Sequence, residues 1–206
     1  YEVAVLDPIT GAEVGPGVDG DLCLRLAPVD PAGYPLGRPV GLMAGYRNDA
    51  GRTAETMHDG YYHTGDVARW DEDGHLVHVG RADEVFKAAD ARVSPFEVES
   101  VLVTHPAVAE AAVVPSPDPA GSAVPKAFVV LAPGWAPDAA TAAAIFQHVR
   151  EHLSSHNRPV RLEFAELPRT MAGKVRRVAL RGLERARRAE DSAGRAGSEF
   201  WEEDVR

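Results

Sequence analysis

The segment Pro168-Arg169-Thr170-Met171-Ala172-Gly173-Lys174-Val175-Arg176-Arg177 sets a lysine directly after a glycine, with basic residues following. Glycine frees the backbone and leaves room beside it. Lysine is a compact cation on a long, mobile stem. Together they suit delivery of positive charge to a phosphate or carboxylate that joins a site only transiently. The competing reading is a loop, a helix start and a solvated basic face, since short motifs often match by chance. A second stretch begins Tyr62-His63-Thr64-Gly65-Asp66 and runs from Trp70 to Lys87. Within it, Asp71-Glu72-Asp73-Gly74 reads as a hairpin turn between strands Asp66–Trp70 and His75–Val79. That hairpin brings Asp66 and Arg81 to the same end. A carboxylate accepts from both hydroxyls of a ribose, and an arginine fork holds the same sugar or a phosphate. The competing reading is a surface hairpin with a salt bridge across it.

The elements that must position these groups fall into two blocks. In the first, Tyr1–Leu6 and Asp21–Leu26 alternate apolar and polar residues as half-buried strands do. Pro28–Pro39 reads as an irregular loop, and Thr53–Met57 as a short helix. In the second, Ser94 caps a helix with Pro95 at its first position and Glu97 three residues on. Phe96, Val98, Val101 and Leu102 are expected on its buried side. Val108–Val114, Lys126–Leu131 and Arg161–Phe164 are expected strands. A helix starts at Asp138 or Thr141, with Ile145, Val149 and Leu153 on one face. Val175 to about Arg188 is expected as a helix with a basic outer side. Beyond Ala189 a polar tail leads to Phe200-Trp201, which can dock back.

Composition narrows the function. The 206 residues carry a net charge of -9 and 45% hydrophobic residues. A real core is expected, and general nucleic-acid binding is disfavoured. The single cysteine, Cys23, rules out an internal disulfide framework and fits a reducing, cytoplasmic setting. No long apolar run suggests a membrane span. No metal site is expected. His75 and His78 would point to opposite faces of a strand, and His58 and His63 lack further ligands at metal spacing.

The ordered motifs His63-Thr64-Gly65-Asp66, Gly80-Arg81-Ala82-Asp83 leading to Ser94-Pro95-Phe96-Glu97-Val98-Glu99, and Gly173-Lys174 make the chain recognisable. It resembles the adenylate-forming superfamily of acyl-CoA synthetases, nonribosomal adenylation domains and luciferases. Acetyl- and medium-chain acyl-CoA synthetases are the nearest in wording. The resemblance implies an α+β fold and a C-terminal portion of a longer enzyme. Residues 1–82 would be the last β-rich subdomain of the N-terminal domain. Residues 83–190 would be the mobile small domain, with a short sheet and packed helices, and 191–206 a polar tail. The family's Ser/Thr/Gly-rich phosphate loop and magnesium-holding glutamate are not in this sequence, so magnesium ligands are expected outside it. The 206 residues alone are expected to be inactive in adenylation.

The same resemblance assigns roles. Asp66 and Arg81 would hold the ribose of ATP, with Arg92 contacting nucleotide phosphate or CoA. Asp83 would be the hinge, and Lys174 the adenylation lysine. Asp90, Ala91 and Arg92 would lie along the CoA arm. Relatives carry a glycine and an aromatic residue where Asp90 and Ala91 stand here, which bears on the acceptor. The implied substrates are a small carboxylic acid, ATP and CoA. A carrier-protein thiol or an amine is the alternative acceptor, and a noncatalytic nucleotide- or partner-binding fragment is the reading from another class. The acid's identity and the oligomeric state are not written in these motifs.

Overall fold

The computed structural model describes residues 1–27, 37–89, 91–119, 121–190, 195 and 197–205. The chain divides into two compact units, Tyr1–Asp83 and Glu84–Arg206. The fold class is α+β. Among the described residues no helix is long and apolar enough to cross a membrane.

The first unit is an antiparallel sheet of β1 (Val3–Leu6), β2 (Gly20–Arg25), β3 (Met57–His58), β4 (Tyr61–Trp70) and β5 (Leu76–Arg81), with one short helix, α1 (Ala50–Thr56). The long strand β4 is the spine. It pairs with β2 on one side and, along successive stretches of the other, with β3 and β5. Ala4, Leu6 and Cys23 form the small buried cluster, with Tyr61 packed against it. The helix begins at Ala50 rather than Thr53, because the Asp49 carboxylate accepts from Arg52 N at 2.9 Å and caps it. Met57 belongs to β3, not to the helix. Of the expected loop at Pro28–Pro39, residues 28–36 lie outside the described residues.

The second unit is built on β9 (Ala123–Leu131). The hairpin β6 (Phe86–Ala88) and β7 (Ala91–Val93) precedes helix α2 (Pro95–Leu102) and strand β8 (Val108–Pro117). After β9 come α3 (Ala139–His152), β10 (Arg161–Phe164), α4 (Arg177–Glu190) and β11 (Glu199–Trp201). β9 pairs antiparallel with β8 and parallel with β10 and β6. β11 joins antiparallel to β10, so Phe200 and Trp201 dock as an edge strand. Ser94 Oγ accepts from Glu97 N at 3.4 Å to cap α2. Asp138 accepts from Thr141 N at 2.9 Å, which fixes Asp138 as the cap of α3.

Side chains alternate across a sheet, and that alternation separates two layers. Ala127, Val129, Val113 and Leu162 face α2 and α3, where they meet Val98, Leu102, Ile145, Phe146 and Val149. Ala112, Val114 and Phe128 face α4 and meet Leu180 and Leu167. Phe96, expected on the buried side of α2, is 44% exposed. Glu99 is buried instead, one helical turn after Pro95 and one before Leu102.

Helix α4 also departs from expectation. It starts at Arg177, because Val175 is tied to Arg169 in an isolated bridge. Its basic side is not simply solvated. Glu184 of α4 is completely buried and meets Lys126 of β9, also completely buried, at 2.8 Å. Lys126 lies 2.8 Å from Glu163 and 3.2 Å from Glu199 as well. Arg188 pairs with Glu184 at 2.8 Å and with Glu199, and Arg187 with Glu163 at 2.6 Å. Ser116 Oγ donates to Glu184 at 2.6 Å.

Burial alone would raise the Glu184 pKa. Bonds and charge from Lys126, Ser116 and Arg188 outweigh it and hold the carboxyl down to about 2, against an ordinary 4.5. A folded-state pKa below the unfolded one contributes stability above the unfolded value and loses it as pH falls toward the folded one. The second unit is therefore expected to lose stability between pH 4.5 and about 2. Glu184→Gln should cost ~3 kcal/mol at pH 7 by this linkage. Chemical denaturation across pH should then give the variant a shallower acid limb than the parent. Parallel curves would remove Glu184 as the cause.

Candidate active-site elements

The turn Asp71–Gly74 sets the first site. Gly74 adopts φ +80° there, and Asp71 Oδ1 accepts from Asp73 N at 3.0 Å and His75 N at 2.7 Å. The resulting register places Asp66 directly opposite Arg81. Arg81 Nη1 lies 3.3 Å from Asp66 Oδ1 and donates to Thr64 O at 3.0 Å. Arg81 Nε donates to Asp83 Oδ1 at 3.1 Å. Thr64 Oγ1 donates to Leu22 O at 2.8 Å and accepts from Asp66 N at 3.0 Å, pinning the aspartate's backbone to β2. Gly65 has φ +78°, and a Cβ there would sit 2.8 Å from Arg81 Nη2. The glycine thus provides both the left-handed backbone and the space for the guanidinium. The side chains of Asp66 and Arg81 remain 29% and 46% exposed. One carboxylate and one fork, both reachable, form an acceptor–donor pair suited to a vicinal diol. His78 Nε2, 3.8 Å from Asp66 Oδ1, borders the same group.

The lysine turn is in the second unit. Thr170 N donates to Lys174 O at 2.8 Å, and Gly173 N to Thr170 O at 2.9 Å. Lys174 N donates to Thr170 Oγ1 at 3.1 Å, and Arg169 Nη1 to Gly173 O at 2.8 Å. Gly173 adopts φ +81°. The turn is held by its own backbone and by Thr170 and Arg169, while the Lys174 side chain is exposed.

Asp66, Arg81 and Asp83 come together, with Asp83 the last residue of the first unit. Arg92 is exposed on β7 and lies across from Lys87, while Ala91 is half-buried. Asp90 lies outside the described residues. The left-handed residue of that hairpin among those described is Ala89, at φ +50°.

Sequence reasoning missed Arg177, Glu99 and Glu84. Arg177 Nε and Nη2 donate to the two oxygens of Glu99 at 3.1 and 2.6 Å, and Nη1 donates to Glu84 at 3.2 Å. Glu99 also accepts from Val113 N at 2.7 Å. Burial pushes the Glu99 carboxyl up, against the pull of Arg177 and the Val113 amide. The signal was present: Pro95, Val98, Glu99 and Leu102 share the i, i+3, i+4, i+7 spacing of a core-facing stripe.

Other candidate groups carry less chemistry. Cys23 Sγ lies 3.3 Å from His63 Nδ1, but burial pushes the thiol up to about 12, away from a nucleophilic thiolate. Asp71, Asp73 and His75 offer ligand atoms within 4.8 Å of one another, among the described residues. The Asp71 carboxylate there is engaged in holding the hairpin turn. His75 lies in that turn rather than on a strand.

Residues 97–174 match the family described as the AMP-binding enzyme C-terminal domain. That segment belongs to this family. The similarity extends well beyond the AMP-binding C-terminal segment. The chain is 41% identical over 195 residues to 4-hydroxybutyrate--CoA ligase 1 of Metallosphaera sedula, covering 94% of this chain and 33% of that protein. The structure of anthranilate CoA ligase AuaEII in complex with anthranoyl-AMP superposes with TM-score 0.76 at 34% identity, covering 89% of this chain and 33% of that one. Amide bond synthetase McbA of Marinactinospora thermotolerans superposes with TM-score 0.73 at 35% identity, covering 88% and 34%. The chain spans about a third of the length of these relatives.

The steric demand at Gly65 gives a test of the first site. Gly65→Ala places a methyl group on the guanidinium and forces an L side chain into left-handed backbone, at a strain of about 1–2 kcal/mol. If the Asp66–Arg81 pair holds a nucleotide, AMP affinity of the full-length protein falls by at least about tenfold in this variant, because the pair is pushed apart. Parental AMP affinity in calorimetric titration would mean that this pair does not hold the nucleotide.

Proposed function

We propose that this chain works as the C-terminal part of an AMP-forming acid–CoA ligase. The observation that carries the reading is the Asp66–Arg81 pair, built by His63-Thr64-Gly65-Asp66 and accompanied in the same chain by the exposed Lys174 turn. A carboxylate oxygen of a small organic acid attacks the α-phosphorus of ATP, and pyrophosphate leaves. The thiol of CoA then attacks the acyl carbonyl, its proton is lost, and AMP departs with the bonding electrons.

In this reading Asp66 accepts from the ribose hydroxyls, and Arg81 orients the same sugar. Lys174 neutralises charge shared between the acid carboxylate and the α-phosphate during the first step. Such preorganised charge is worth most where the transition state redistributes charge. Asp83 is the hinge, and a few residues there absorb the rotation that exchanges one half-site for the next. Arg92 reaches nucleotide phosphate or CoA, with Ala91 beside the CoA arm. Magnesium would bind the ATP phosphates through ligands outside these residues. A cytoplasmic, reducing setting accords with the buried, unpaired Cys23.

Similarity to two CoA ligases supports CoA as acceptor. Similarity to an amide bond synthetase supports an amine as the second reading.

Two experiments on the full-length protein decide. Lys174→Ala is expected to lower acid-dependent pyrophosphate exchange by roughly 10²–10³. It should largely spare thioester formation from supplied acyl-adenylate. Equal loss of both half-reactions would make the lysine structural or shared. Supplying acyl-adenylate with CoA, a pantetheine-loaded carrier protein or a primary amine should give transfer chiefly to CoA. Efficient transfer to either of the others with none to CoA would replace the acceptor.

A further inference from the structure

Three motif-bearing segments meet at one guanidinium. Arg177 opens α4, directly after the lysine turn. Glu99 closes the Ser94–Glu99 motif on α2, and Glu84 is the first residue of the second unit, next to Asp83. Arg177 engages Glu99 through both oxygens, so the fork fixes direction as well as distance. The side chains of Arg177, Glu99 and Glu84 are 23%, 11% and 23% exposed. Pairs so withdrawn from water are stiffer than surface pairs.

Neither helix stability nor charge balance accounts for this arrangement. A cation in the first turn of a helix opposes the macrodipole, and α4 has no acidic residue there. Arg177 is therefore placed against the helix's own preference. Glu99 alone would neutralise it. Glu84 adds a second carboxylate to one cation, and like charges so close are unfavourable unless the third contact serves a purpose. The contact ties the start of α4, and the turn just before it, to the chain as it leaves Asp83.

We propose that Arg177 is a positioning residue for Lys174: it fastens the base of the lysine turn to Glu84, so the turn follows the chain leaving Asp83 as one body. This rests on the reading of Lys174 as the adenylation lysine and Asp83 as the hinge. With the clamp intact, rotation at the hinge is transmitted to the lysine without slack. With the clamp loosened, substrates still bind, but the ammonium arrives off its mark, and small misplacements of a reacting group are costly.

The experiment uses the full-length protein with Glu84→Gln, Arg177→Lys and Lys174→Ala. Glu84→Gln removes a charge while Glu99 still anchors α4, so its melting temperature should match the parent's. Its kcat for pyrophosphate exchange is expected to fall about tenfold, with KM for ATP and acid nearly unchanged. Thioester formation from supplied acyl-adenylate should stay near the parental rate. Arg177→Lys keeps the charge and loses the fork, and should show the same split. Parental exchange in Glu84→Gln, or loss of both half-reactions in step with melting temperature, overturns the proposal. Should Arg177→Lys fail to fold, Glu84→Gln decides alone. Parental exchange in Lys174→Ala would overturn the lysine reading and this inference together. Its loss in Lys174→Ala with parental exchange in Glu84→Gln would overturn this inference alone.

Discussion

A fully buried ammonium dictates how the second unit must be assembled. Lys126 sits on the central strand, facing α4, and an unpaired charge there would be prohibitive. Its compensation comes from Glu163 on β10, Glu184 on α4 and Glu199 on β11. Those carboxylates in turn require Arg187 and Arg188. Arg161, almost wholly buried, bonds Pro117 O at 2.7 Å and Asp118 at 2.9 Å from the same face of the sheet. Trp201 covers the cluster, with the guanidinium carbons of Arg161 and Arg188 4.6 and 5.6 Å from its ring. Replacing such a network by apolar residues is often no less stable, but breaking one partner is severe. The network therefore specifies more than it stabilises. Helix α4 can slide or rotate only by leaving charges unpaired, and the lysine turn is the segment that feeds directly into α4.

Much of the fold was legible because it is written locally. Lys126–Leu131 lies in a strand, as its β-branched residues imply, and Asp138 starts a helix because a carboxylate there reaches the next turn's amide. The hairpin of β4 and β5 follows from one glycine-ended turn, and its register carries Asp66 to Arg81. Departures occur where partners are remote. Val175 stays outside α4 because it bridges to Arg169. Glu199–Trp201 is a strand only because β10 offers a free edge. The charges of Lys126 and Glu184 look like surface charges in sequence, since nothing nearby says that each will meet the other in the interior.

The candidate site divides the same way. Residue types and order identify Asp66, Arg81 and Lys174 as chemically apt. The reasons they are held in place are three-dimensional: Thr64 anchors to Leu22 O, Gly65 makes room for Arg81, and Thr170 closes the lysine turn. In sequence Arg177 is one more basic residue after the lysine, although Glu99 already stands on the apolar stripe of α2. A buried acid on a stripe asks for a cation, and the sequence alone does not say which of many arginines answers.

The chain has only three lysines, Lys87, Lys126 and Lys174. Its other basic side chains of high pKa are guanidinium groups, which keep their charge and are poor nucleophiles. Burial of Lys126 inside its ring of carboxylates removes one of the three amines from reaction with anything in solution. An acyl-adenylate is an acylating agent toward amines. In the proposed ligase, a surface that carries its positive charge almost entirely on arginine would attract phosphates while offering few side chains on which a stray acyl group could be lost.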